Sequence, residues 1–110
     1  MAFTPYHNIL GATARDNELV AIGDILRKGI KAIQITNVDA SASATIGLYL
    51  YKGSTDAKTD QVIYILHDVV MPYTTSLLLD NPSILKFDNS SYSLYLQVGA
   101  NDEIDVIIST

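Results

Sequence analysis

The chain has 110 residues, of which 48% are apolar and 17% are charged, with a net charge of −5 and no cysteine. This length fits one domain, and the low charge with abundant Ile, Leu and Val argues strongly against a disordered chain. The absence of cysteine excludes a disulfide scaffold, a thiolate metal site and a cysteine nucleophile, and the negative charge disfavours nucleic-acid binding. Residues 1–8 do not form a signal peptide, and no apolar run approaches the ~20 residues that cross a bilayer. We therefore expect a soluble protein made in the cytoplasm, without a membrane partner.

Most of the chain alternates apolar and other residues with a period of two, which predicts short β-strands with one buried face. Residues 1–16 lack a clear period and are predicted to be an N-terminal arm or an edge strand. Strands are then predicted, in chain order, at residues 18–22, 31–37, 45–52, 61–70, 76–79, 84–87, 92–99 and 103–109. The segment 61–70 is apolar at both parities, which favours a strand covered on both faces. The one possible helix, around residues 24–30, is short and interrupted by Gly29.

About eight short strands, separated by turns rich in Gly, Asp, Asn and Ser, predict the fold class. We expect an all-β, antiparallel β-sandwich with a jelly-roll-like arrangement over residues 17–110. Two sheets would bury their apolar faces against each other, and each fully buried Ile or Leu contributes roughly 1.5–3 kcal/mol. Such a core needs neither a metal nor a disulfide.

Residues able to perform catalysis or bind a metal are few. His7 and His67 are the two histidines, so a zinc site would need carboxylates as its other ligands. Asn101, Asp102 and Glu103 form the best calcium candidate, but no Asp-x-Asp-x-Asp-Gly loop is present. No serine lies in a Gly-x-Ser-x-Gly context. We therefore predict a protein that is not an enzyme, with no catalytic residue, cofactor or metal.

Tyrosine is the more informative residue type. Tyr49, Tyr51 and Tyr95 have the parity opposite to the Leu and Ile residues of their strands, and Ile107 has the same outward parity on the last strand. Ordinary β-sheet surface explains this pattern, and so does a docking face, because aromatic residues are enriched at interface hot spots. A carbohydrate-binding platform is a third interpretation, although such platforms usually contain Trp and this chain has none.

The order of segments resembles that of small virion proteins of tailed bacteriophages, many of them marine. The resemblance covers about residues 29–109. It is carried by residues 29–37 (GIKAIQITN), 44–51 (ATIGLYLY), 70–79 (VMPYTTSLLL) and 99–109 (GANDEIDVIIS). Residues 71–73 depart from it, since such chains often have Ile-Pro-Ala-Gly there, and the first thirty residues match nothing in it.

The resemblance implies a β-sandwich subunit of the phage virion, assembled in the host cytoplasm. The role it favours is a capsid decoration (cement) subunit that binds the major capsid protein and stabilises its lattice. A neck, tail or baseplate subunit and a receptor- or carbohydrate-binding fibre module remain alternatives. It also implies a homo-oligomer, commonly a trimer, and it transfers no individual site residue. Residues 2–14 are a candidate arm that adds a strand to a neighbour's sheet edge. A small hydrolase on the same scaffold would instead need a cleft with a perturbed His67 or a carboxylate pair.

Overall fold

A computed structural model describes residues 3–13, 15–21, 30–52, 61–81, 85 and 91–109, with the backbone alone described for residues 3–8 and 61. The described residues form eight strands. These are β1 (Phe3–Leu10), β2 (Asp16–Val20), β3 (Ala32–Asn37), β4 (Ala44–Lys52), β5 (Gln61–Met71), β6 (Ser76–Leu79), β7 (Ser93–Val98) and β8 (Glu103–Ser109). The described ranges contain no helix long and apolar enough to span a membrane.

The strands pair antiparallel in two four-stranded sheets, with the orders β1-β8-β3-β6 and β2-β7-β4-β5, here called sheet A and sheet B. The first strand pairs with the last, the second with the seventh, the third with the sixth and the fourth with the fifth. The pairs β3–β8 and β4–β7 complete the two sheets. Four nested antiparallel pairs divided between two sheets are the arrangement of a jelly roll. The predicted all-β sandwich is confirmed.

The core lies between the sheets, where the alternating residues of the central strands meet. On β8, Ile104, Val106 and Ile108 are buried, whereas Ile107 between them is exposed. The same alternation places one apolar row of each central strand in the core. The buried apolar residues of the other three central strands are Ile33, Ile35, Ala44, Ile46, Leu48, Leu50, Leu94, Leu96 and Val98. This agreement follows from strand geometry, since successive side chains point to opposite faces.

The N-terminal segment belongs to the sandwich. β1 pairs with β8 of the same chain and forms one edge of sheet A. Of the two alternatives for residues 1–16, the structure has the edge strand, so β1 is not a free arm that reaches a neighbouring subunit. β2 begins at Asp16, so the end of this segment also lies in a strand.

Two predicted elements fall largely outside the described residues. Of the predicted strand 84–87, only Leu85 is described; it is buried, and its N–H donates to the carbonyl of Asn81 rather than to a sheet. Of the possible helix at 24–30, only Ile30 is described, and its side chain belongs to the core.

The prediction that the segment 61–70 is covered on both faces is wrong. β5 is the outermost strand of sheet B and pairs, within the described residues, with β4 alone. Val62, Ile63 and Tyr64 are 49%, 47% and 41% exposed. Apolar residues at both parities are typical of a central strand, but an edge strand with uncovered apolar side chains has the same pattern.

Candidate functional site

Three strands of sheet B bring four tyrosines together on its outer face. Tyr49 of β4 lies directly opposite Tyr95 of β7 on one side and Tyr64 of β5 on the other. The rings of Tyr49 and Tyr95 are stacked, with centroids 5.4 Å apart, and the centroid of Tyr64 is 5.5 Å from that of Tyr49. Tyr51 meets Tyr95 edge to face at 5.9 Å. These contacts arise because directly opposed side chains of neighbouring strands share a face. We call Tyr49, Tyr51, Tyr64 and Tyr95 the tyrosine cluster.

The members of the tyrosine cluster differ in exposure. Tyr49, at the centre, is only 7% exposed because the rings of its own chain cover it, whereas Tyr64 is 41% exposed. Tyr51 and Tyr95 are half-buried. A partner laid on this face would therefore touch Tyr51, Tyr64 and Tyr95, and Tyr49 would act by supporting their rings. The predicted outward parity of Tyr49 is right, but its neighbours leave it little free surface.

Hydrogen bonds hold the tyrosine cluster in place at both of its sides. The hydroxyl of Tyr49 donates to Asp16 at 3.0 Å, and that of Tyr95 donates to Glu18 at 3.1 Å. Both carboxylates come from β2, which lies next to β7. On the other side, Nε2 of Gln97 donates to the hydroxyl oxygen of Tyr64 at 3.3 Å. The outer face of sheet B thus combines aromatic rings with an acidic margin.

Burial and the two carboxylates also act on the ionisation of the phenols. Burial raises the pKa of Tyr49 well above its usual range, and the hydrogen bond to Asp16 raises it further. Burial and the hydrogen bond to Glu18 likewise raise the pKa of Tyr95. Both groups therefore remain neutral hydrogen-bond donors throughout the physiological pH range.

Ile107 is not part of this surface. It lies on β8, on the outer face of sheet A, beside Gln34 of β3, and it is 39% exposed. The four predicted docking residues therefore fall on the two opposite outer faces of the sandwich. Alternation within a strand shows that a residue points outward, but it does not show to which sheet the strand belongs. Contact of any of the four with a partner stays a prediction.

Sequence reasoning missed Tyr64, Asp16 and Glu18 as members of this surface. The spacing of residues along the chain could not predict their place in the cluster. Tyr64 joins the cluster only because the register of β5 on β4 puts it opposite Tyr49. The two acids join it through the register of β2 on β7, where Glu18 lies opposite Tyr95.

The residues that the sequence offered for catalysis or metal binding make contacts with neighbouring side chains and backbone. The ring centroids of His67 and Tyr64 are 4.2 Å apart, and Nε2 of His67 is 3.5 Å from a carboxylate oxygen of Asp68. Asp102 accepts the backbone N–H of Thr45 at 2.9 Å and so ties the β7–β8 turn to β4. A shallow cleft of about 220 Å³ lies beside Gln97 and Asp68. Within the described part of the chain, no three His, Asp or Glu side chains lie together in a group that could hold a metal ion.

The chain matches no protein-family model, no curated protein and no solved structure. Its fold is therefore assigned from its own strand order, and its function has to be inferred from its own surface.

Proposed function

We propose that this chain is a structural subunit of a tailed-phage virion, specifically a capsid decoration (cement) subunit that binds and stabilises the major capsid lattice. The observation that carries the proposal is that eight large apolar side chains among the described residues are at least 39% exposed. The phage-like order of segments over residues 29–109 supplies the class of partner. Jelly rolls also build many viral capsid domains, which supports the proposal by analogy of fold.

The exposed apolar side chains lie on both sheets. In sheet A they occur on β1, β6 and β8, and in sheet B they concentrate on β5. The large apolar residues that are at least 39% exposed are Leu10, Val62, Ile63, Tyr64, Val70, Tyr73, Leu78 and Ile107. A subunit that bridges neighbouring capsid proteins needs contact surfaces in more than one direction, and this distribution provides them. Each Å² of apolar surface removed from water contributes roughly 25 cal/mol.

The low charge of this surface also favours docking on protein. The run from Val62 to Leu66 contains no charged residue, although the whole chain carries a net charge of −5. Burying an uncharged face avoids the desolvation penalty of several kcal/mol that a buried ion would impose. Acidic groups instead border the tyrosine cluster on β2, where Asp16 and Glu18 are exposed.

The proposal is tested by microscopy and by reconstitution. Purified particles carrying a labelled chain are expected to show the label at regular positions on the capsid. Particles that lack the chain are expected to lose their DNA at a lower temperature, and the purified chain should restore their stability.

Ile107→Glu and Tyr95→Glu would show which outer face docks, with Ala40→Glu as a control that adds the same charge in the exposed β3–β4 loop. Finding the chain in infected-cell lysate but never on particles would overturn the proposal. A label confined to the neck or tail would replace the capsid role by one of those.

A receptor- or carbohydrate-binding role is the second candidate, and one observation favours it. The tyrosine cluster exposes aromatic rings next to carboxylates and an amide, which is a combination that stacks on sugar rings and binds their hydroxyls. Retention on a glycan array that is lost in Tyr95→Ala and kept in Tyr73→Ala would establish this role. Tyr73 is the matched control because it is 52% exposed and lies outside the cluster.

A further inference from the structure

Each sheet of the sandwich has two edge strands, and three of the four carry features that prevent pairing with another chain. β6 has only four residues, and β2 presents Asp16 and Glu18 to solvent. β1 contains Pro5 and an irregular register between Tyr6 and Ile9. Short length, charge, proline and bulges are the devices by which natural proteins protect sheet edges.

The C-terminal half of β5 is protected in the same way. Tyr64, Leu66 and Val69 lie opposite Tyr49, Leu48 and Ile46 of β4, so β5 carries two extra residues over this stretch. Asp68, in this irregular part, has a positive φ of 51°, and its side chain is exposed beside that of His67. Bulges and exposed polar groups make this half of the strand a poor template for pairing.

The N-terminal half of β5 has none of these protections. Residues 61–64 lie opposite Lys52, Tyr51, Leu50 and Tyr49 one for one, without a register shift. The run contains no charged residue, proline or glycine, and its side away from β4 pairs with no other described strand. An extended, regular, apolar edge of this kind is a site at which another strand adds to the sheet.

The sequence of this run is compatible with pairing to itself. Two copies related by a two-fold axis normal to the sheet keep the same outer face, so residues of equal parity have to lie opposite one another. With the axis beside Ile63, Val62 of one protomer lies opposite Tyr64 of its partner, and the two Ile63 side chains meet on the inner face. Ile63 points to that face because it lies opposite the core residue Leu50, yet it is 47% exposed. The second copy would cover it.

The positions of the β2 acids are compatible with a second copy as the occupant. The chain is acidic, so two copies repel each other unless their acids are kept apart. Asp16 and Glu18 lie on β2, which is three strand spacings, or about 14 Å, from β5. That distance exceeds the Debye length of about 8 Å at physiological salt. The N-terminal half of β5 is thus an approach that two acidic copies can share.

We propose that this chain self-associates through antiparallel pairing of the N-terminal half of β5 with the same segment of a second copy. The pairing joins the two copies of sheet B into one eight-stranded sheet and places both tyrosine clusters on one continuous outer face. A two-fold contact of this kind yields dimers or other even-numbered assemblies, not the trimer that the family resemblance implies. The proposal goes beyond the proposed function, since it concerns a contact between copies in solution.

A cysteine cross-link tests the register. The chain has no cysteine, so Ile63→Cys introduces one thiol, which the two-fold pairing places opposite its own copy. Directly opposed Cα atoms lie about 4.5–5.5 Å apart, which is within the range that a disulfide spans. Mild oxidation is expected to give a covalent dimer. Val70→Cys is the matched control, because Val70 is 63% exposed on the same strand but lies beyond the bulges; it is expected to form no covalent dimer.

Sedimentation equilibrium tests the association without a cross-link. The regular part of the seam, residues 62–64 of each copy, is much smaller than the about 20–30 residues a side of a standard interface, so we expect a reversible monomer–dimer equilibrium. Ile63→Lys should weaken it by about tenfold or more, because like charges directly opposite on paired strands repel, whereas Val70→Lys should leave it unchanged. Circular dichroism checks that both variants are folded. If Ile63→Lys does not fold, the Ile63→Cys cross-link alone tests the association through β5.

Three results would overturn the proposal. These are a chain that stays monomeric at the highest attainable concentration, an oligomer that Ile63→Lys does not weaken, and a Val70→Cys variant that cross-links as well as Ile63→Cys. Particle binding is scored separately. A monomeric chain that still binds particles contradicts the β5 pairing and leaves the proposed function standing. A chain that dimerises through β5 but binds no particle supports the pairing and contradicts the proposed function.

Discussion

Replacing Asn37 with alanine is expected to lower the free energy of unfolding by about 2–4 kcal/mol, and the structure shows why. Asn37 ends β3 with its side chain fully buried, at 0% exposure. Its Nδ2 donates to the carbonyls of Ala42 and Met71, each at 3.1 Å, and its Oδ1 accepts the N–H of Asp39 at 3.0 Å. One amide thus ties the β3–β4 loop to the end of β5.

The magnitude follows from what alanine leaves behind. The bond to the Met71 carbonyl is buried, and an acceptor left there without a donor costs about 1–3 kcal/mol. The groups of Ala42 and Asp39 lie nearer the surface, where water can replace the amide, so each contributes less. A loss of about 2–4 kcal/mol is large against the about 5–15 kcal/mol that stabilises a typical domain.

Urea denaturation measures this change as a lower midpoint at an unchanged m-value. Thr36→Ala is the matched control. The hydroxyl of Thr36, the adjacent residue on β3, shares an exposed hydrogen bond of 2.9 Å with the Ser76 hydroxyl, so its loss should cost less than about 1 kcal/mol. If Asn37→Ala and Thr36→Ala had equal midpoints, the reasoning from buried, unsatisfied carbonyls would be refuted.

Two further predictions concern the loops. Gly11→Ala should destabilise the fold by about 3 kcal/mol in the same urea assay, because its Cβ would lie 1.7 Å from the Gly99 carbonyl oxygen; an unchanged midpoint would show that the backbone yields easily. Asp39→Asn should make stability less sensitive to acid. The Asp39 carboxylate accepts the N–H groups of Ser41 and Ala42, and these hydrogen bonds hold its pKa below the ordinary value. The stability contributed by that carboxylate is present above the unfolded pKa of about 3.9 and is lost as pH falls through the lower folded pKa. Urea midpoints at pH 7 and pH 3 should therefore differ less in Asp39→Asn than in the wild type, and an equal difference would contradict this.

The central strands were predictable because they carry the signature of one buried face. In β3, β4, β7 and β8 the residues at one parity are apolar and lie in the core, and the predicted bounds agree with the observed ones to within one residue at either end. The period of two follows directly from extended backbone geometry. No tertiary information is needed to detect it.

The edge strands were less predictable because neighbours, not the strand itself, decide their exposure. β5 has apolar residues at both parities, and the sequence alone favoured a covered strand. The sheet order instead leaves Val62 and Ile63 about half exposed. β1 remained open between an arm and an edge strand, since only its pairing with β8 distinguishes the two.

For the candidate surface, too, the sequence predicted which residues point outward but not which strands lie next to them. Outward parity identified Tyr49, Tyr51, Tyr95 and Ile107, but it did not show that Ile107 lies on the other sheet. Nor could it show that Tyr49 is covered by its own neighbours, at 7% exposure. Both facts depend on which strands lie side by side.

The amino-acid sequence by itself determined an all-β sandwich with one apolar row on each central strand, because side-chain alternation is a local property of extended chain. The tertiary structure alone decided the strand order, the register that brings Tyr64, Asp16 and Glu18 to the other tyrosines, and the open edge of β5. These features arise from contacts between residues far apart in the chain, and no local pattern specifies which distant strand a given strand will meet.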